Sequence, residues 1–146
     1  MSIEITSKEF NPWNSLQAYE KNLVALHGKS GAVATFVGTM RDYNDGDSVQ
    51  AMFLEHYPDM TEKYLQKISD TALKRWDILD TFIIHRVGEI LPGETIVLVA
   101  VWAGHRAPAF EACRFLIEEL KFKAPFWKRE TLSNDNGVRW VEKNTN

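Results

Sequence analysis

Two apolar runs constrain this chain more than anything else in it. TFIIHRV (81–87) and TIVLVAVWA (95–103) are rich in β-branched and large apolar residues, and only GEILPGE separates them. Pro92 and Gly93 in that connection form a tight-turn pair, so the runs read as consecutive strands. The longest uninterrupted apolar stretch, 96–103, falls far short of the roughly 20 residues that a membrane-spanning helix needs. The strands are therefore expected in the core of a soluble protein.

The rest of the chain alternates short strands with amphipathic helices. Ile3 and Ile5 alternate with polar residues as in a first strand. Leu16, Tyr19, Leu23 and Leu26 recur at helical spacing and predict a helix over 15–27, with Asn14 and Gln17 as a capping pair and Gly28 as its stop. Strands are predicted over 31–39 and 49–57, joined by a polar loop, RDYNDGDS (41–48), that holds the turn signal Asp45-Gly46. That loop does not fit a calcium-binding pattern, because its glycine is out of register and the closing glutamate is missing. A second helix is predicted over 59–76, with Met60, Tyr64, Leu65, Ile68, Ala72 and Trp76 inward and Asp59 and Glu62 capping its start. A third runs over 108–122, followed by short strands FWKRET (126–131) and VRWVE (138–142) around the turn SNDNG (133–137). Hairpins mixed with about three helices imply an α+β fold with a mostly antiparallel sheet. No repeat or linker interrupts residues 1–146, which are expected to form a single domain.

Seventeen Lys and Arg against twenty Asp and Glu give a net charge of −3, which argues against a polybasic membrane or nucleic-acid binder. The amino terminus lacks the pattern of a secretory signal and the chain has one cysteine, Cys113, so a reducing cytoplasm is the expected setting. Within this acidic chain KFKAPFWKR (121–129) carries four cations and no acid. Lys121 lies at the border of the third helix's apolar face, four residues after Ile117, where partial desolvation favours the neutral amine and makes it usable in proton transfer or nucleophilic attack. Lys123 points away from that face. The structural alternative is that both lysines only complement the helix dipole. Lys128 shares a strand face with Phe126 and is either part of a site or an exposed strand lysine. Gly104-His105-Arg106 occupies a strand-to-helix junction, where backbone N–H groups and an arginine fork suit a phosphate; the alternative is a capping histidine beside a surface arginine. The four histidines show no zinc spacing, no glycine-rich phosphate loop or nucleophile elbow is present, and Cys113 reads as a buried hydrophobe. Neither a metal nor a cofactor is implied.

GTMR (38–41), LEHYPDMTEK (54–63), IHRVGEILPGE (84–94), GHRAPAFEA (104–112), KFKAPFWKRE (121–130) and RWVE (139–142) stand in this order. Together they resemble the catalytic large-subunit family of molybdopterin synthase from about residue 31 to 142. The resemblance implies an α/β-hammerhead fold and a homodimer, within a heterotetramer that contains two small ubiquitin-like sulfur-carrier subunits. Each carrier would bring sulfur as a thiocarboxylate on its C-terminal Gly-Gly tail, and the enzyme would convert cyclic pyranopterin monophosphate (precursor Z) into the dithiolene of molybdopterin. By motif, Lys121 and Lys128 correspond to the catalytic lysines, and Arg41, His105 and Arg106 to the pocket for the substrate anion. Thr39, Met40, Arg129 and Glu130 would line the site, with Arg139 reaching it from the other protomer. The competing reading is a non-enzymatic module that binds single-stranded nucleic acid or another polyanion through KFKAPFWKR and its aromatics.

Overall fold

The structure is a computed structural model that describes residues 1–133 and 137–141. In chain order the elements are β1 (Ser2–Thr6), α1 (Pro12–Lys21), a 3-10 turn (Val24–Leu26), β2 (Ala32–Thr39), β3 (Tyr43–Asn44), β4 (Asp47–His56) and α2 (Pro58–Arg75). They continue with β5 (Ile78–Arg86), β6 (Gly88–Ile90), β7 (Thr95–Ala103), α3 (Arg106–Phe122), β8 (Phe126–Leu132) and β9 (Val138–Val141).

The two apolar runs become β5 and β7, antiparallel neighbours at the centre of a sheet ordered β1-β5-β7-β2. Every residue of β7 is buried, because both faces of this sheet are covered. Leu65, Ile68, Leu116 and Leu120 from α2 and α3 pack with Ile83, Val97, Val99 and Val101. On the other face Leu16, Tyr19, Leu23 and Leu26 lie on Phe82, Ile84, Leu98, Ala100 and Trp102. A strand covered on both faces is apolar at successive positions, which is why neither run alternates. The second sheet runs β3-β4-β8-β9, with β6 also paired to β4. Among the described residues only the β1–β5 pairing is parallel; the other pairings are antiparallel, as expected for this α+β fold.

Local details differ from the sequence expectation. The first helix begins three residues earlier than the apolar spacing suggests, because Asn11 accepts hydrogen bonds from the Trp13 and Asn14 amides at 3.0 and 3.1 Å and Pro12 fits the first turn. Asn14 is thus inside the helix, and Leu23 and Leu26 reach the core from beyond its end. Pro58 likewise starts α2 without a side-chain cap, and Met60 is 62% exposed rather than inward. The polar loop 41–48 contains a hairpin: β3 pairs with β4 across Asp45 and Gly46, both at positive φ, the backbone of a type I′ turn. Positions 134–136 of the expected turn and residue 142 of the last expected strand lie outside the described residues.

Candidate active site

Lys121 and Lys128 enter one cavity from different elements. Lys121 is in the last turn of α3, beside the buried stripe of Ala109, Ala112, Cys113, Leu116 and Leu120. Lys128 lies on β8 opposite Leu54 of β4, and strand alternation puts Phe126 and Glu130 on its face. Around them a cavity of about 260 Å³ opens between the end of β2, the β3–β4 hairpin and β8, lined among others by Thr39, Met40, Arg41, Asn44 and Glu130.

Burial shapes the acidity of both amines. Lys121 is lowered from the ordinary lysine range by desolvation and by the Arg41 guanidinium. Lys128 falls to about 7 through desolvation, then Lys121 and Arg41, with Glu130 opposing. A lysine with a pKa near neutrality is divided between amine and ammonium at working pH and can both take and give a proton. Glu130, only 6% exposed, accepts from Asn44 Nδ2 at 3.1 Å and from Arg139 Nε at 3.0 Å. Arg139 also donates to Asp47 at 2.8 Å and to the Asn44 carbonyl at 2.8 Å. The carboxylate beside the lysines is therefore held by a network that ties the hairpin to β8 and β9. The Arg41 guanidinium stands 5.0 Å from the Tyr43 ring centroid. Cys113 is buried with its thiol pushed up to about 11 by desolvation, so it holds no thiolate at neutral pH. Among the described residues no cluster of His, Cys, Asp and Glu could hold a metal ion.

The cavity thus gathers six of the sequence-predicted residues: Thr39, Met40, Arg41, Lys121, Lys128 and Glu130. Arg129 is not among them. As the strand neighbour of Lys128 it faces the opposite way, 5.0 Å from the Phe53 ring and 5.9 Å from Trp140. Arg139, which the resemblance brings to the site from the other protomer, bonds Glu130 of its own chain and stands behind that carboxylate. His105 and Arg106 are exposed at the start of the 17-residue α3, about 22 Å along the helix from Lys121. One chain does not bring them to the cavity. Sequence reasoning missed Asn44, whose only signal was the adjoining Asp45-Gly46 turn, and Phe36, Met52 and Ile96, which line the cavity as ordinary strand hydrophobics.

The profile of the MoaE protein family matches residues 7–123. This chain belongs to the MoaE family. The molybdopterin synthase catalytic subunit of Ralstonia nicotianae is 56% identical over 112 residues, which are 77% of this chain and 62% of that protein. The subunit of the same name from Pseudomonas aeruginosa is 47% identical over 142 residues, 97% of this chain and 91% of that one. Among solved structures, the molybdopterin biosynthesis MoaE protein of Burkholderia ambifaria superposes with a TM-score of 0.78 at 46% identity, covering 99% of this chain and 92% of its own. The family match ends at Lys123, whereas the Pseudomonas alignment spans nearly the whole MoaE-family chain.

Proposed function

We propose that this chain is the catalytic subunit of a molybdopterin synthase, transferring two sulfurs from thiocarboxylated small carrier subunits to cyclic pyranopterin monophosphate. The carrying observation is the Lys121–Lys128 pair, two amines of lowered pKa that share one cavity with Arg41. Arg41 supplies a fork for the substrate phosphate. The thiocarboxylate sulfur attacks a carbon of the pterin side chain and displaces an oxygen substituent there. Water then cleaves the acyl–sulfur bond, leaving the sulfur on the pterin and the carrier tail as a carboxylate, while the lysines move the protons and stabilise the oxyanion of the acyl-linked intermediate. Lys128, with its pKa near 7, suits the proton transfer. The sulfur comes from the carrier, since the buried Cys113 thiol is a poor nucleophile.

The homodimer belongs to this proposal because it gives His105 and Arg106 a role. Gly31, just before β2, is packed so closely on the strand-to-helix junction that a Cβ there would lie 2.3 Å from the Gly104 carbonyl oxygen. The other end of β2, about 23 Å away, carries Thr39 to the cavity. β2 ends its sheet, and Val33 and Phe36 on it are 41% and 37% exposed. A second copy paired antiparallel along this edge sets its own His105 and Arg106 beside the first copy's Arg41.

The polyanion-binding alternative is disfavoured because the cations of KFKAPFWKR diverge. Lys121 and Lys128 enter the cavity, Lys123 pairs with Glu119 at 3.0 Å, and Arg129 lies on the outer face. A cytoplasmic setting is also part of the proposal; among the described residues no helix is long and apolar enough to cross a membrane. Incubation with thiocarboxylated carrier and cyclic pyranopterin monophosphate is expected to yield the dithiolene product. Lys121→Ala and Lys128→Ala should each lower the rate by at least roughly 100-fold, and near-normal rates in both would overturn the assignment.

A further inference from the structure

His85 on β5 is a buried titratable group that the proposed chemistry leaves unused. It is 2% exposed and stacks on Phe126 with ring centroids 4.0 Å apart and planes 15° from parallel. It lines a second cavity of about 130 Å³ that shares Lys121 and Lys128 with the first and is otherwise walled largely by Leu120, Phe126 and Val141. Its Nδ1 lies 2.8 Å from the Arg86 carbonyl oxygen. A carbonyl only accepts, so Nδ1 carries the proton, and a neutral ring then leaves Nε2 as a bare acceptor.

Every charged or titratable neighbour reinforces the neutral state. Burial first, then Lys121 from α3, Lys128 from β8 and His56 from β4, push the imidazole pKa down to about 3 against the opposing hydrogen bond to the Arg86 carbonyl. In register on the flanking strands stand Ile5 of β1 and Val97 of β7, both apolar. The ring therefore stays an uncharged acceptor throughout the range in which an ordinary histidine titrates.

We propose that His85 is a positioning residue for the lysine pair, its Nε2 accepting a hydrogen bond from one of the two amines and holding it at the partition between the cavities. This rests on the reading of Lys121 and Lys128 as the reacting lysines. An acceptor at an ammonium favours the charged form, so removing it lowers the lysine pKa further. His85→Phe keeps a flat ring against Phe126 without the acceptor, and His85→Gln returns an acceptor oxygen close to the Nε2 position.

The test is the pH profile of dithiolene formation in both variants, with the ¹⁵N spectrum of His85 in the wild-type protein. In His85→Phe the limb on which the rate rises with pH should move down by about half a unit, a roughly threefold change in the acid constant, while His85→Gln keeps the wild-type limb. A purely structural role would lower the rate at every pH and leave the limb in place, and an unmoved limb in His85→Phe overturns the inference. Should His85→Phe not fold, the spectrum decides. A single Nδ1–H tautomer that does not titrate between about pH 5 and 8 supports the inference, and titration in that range or an Nε2–H tautomer overturns it. Failure of the wild-type protein to form product would instead sink the proposed function, while the tautomer would still be read independently.

Discussion

At the scale of single residues, the reacting amines oppose the stability of the fold that holds them. Lys128 has a folded pKa of about 7 against an ordinary value of 10.5. Below about pH 7 the lysine is charged in both states, and the folded state bears the full desolvation cost. Between about 7 and 10.5 the unfolded chain binds more protons than the folded one, so this group makes stability rise with pH across that window. Lys128→Met keeps the length and apolar stem of the side chain and removes the charge. It is expected to raise stability at pH 7 by roughly 1–2 kcal/mol, about 3–6 °C for a domain of this size, while abolishing activity. Thermal melts at pH 7 and pH 10 check the sign: the advantage of Lys128→Met should shrink at the higher pH, and a variant less stable than wild type at pH 7 would contradict the burial argument.

Among the elements, the β3–β4 hairpin wields influence beyond its size. Its turn holds Asp45 at φ 50° and Gly46 at φ 80°, and its strands carry Asn44 and Asp47 to Arg139 and Glu130. Gly46→Ala puts a Cβ into a left-handed conformation at a cost of about 1–2 kcal/mol. Because the turn is exposed and the hairpin short, the expected result is a rise in KM for the pterin with a Tm lowered by no more than about 3–6 °C, measured by steady-state kinetics and melting on the same preparation. The hairpin also marks the limit of what the sequence reveals. β5, β7 and the edge position of Lys121 are written in local patterns, since apolar runs and helical spacing depend on near neighbours. The Asn44–Glu130–Arg139 network is not, because it joins residues 86 and 9 positions apart through a strand pairing that no short window contains. Arg129 is a different case: the predicted strand over 126–131 already turns it away from Lys128 by alternation, as the structure has it, and only the motif resemblance had set it in the site.

For the whole molecule, the distance along α3 decides how many chains build one site. Arg106 begins the helix and Lys121 is in its last turn, so one chain cannot offer both to a ligand the size of a pterin phosphate. In the proposed homodimer each site takes its lysines from one protomer and His105 and Arg106 from the other. Two inactive variants then make a sharp test. Lys121→Ala spoils the lysine half of its own protomer's site, and Arg106→Ala spoils the anion half of its partner's site. In a mixed dimer of the two, both defects fall on the same site and the second site is left intact. Dimers purified through different tags on the two chains should therefore recover about half of the wild-type rate, although either variant alone is nearly inactive. If each protomer instead built its site alone, every site in the mixed dimer would carry one defect and no activity would return. Recovery close to half identifies a site shared across the two-fold axis; its absence would assign His105 and Arg106 to a role apart from substrate binding, such as closing the exposed start of α3.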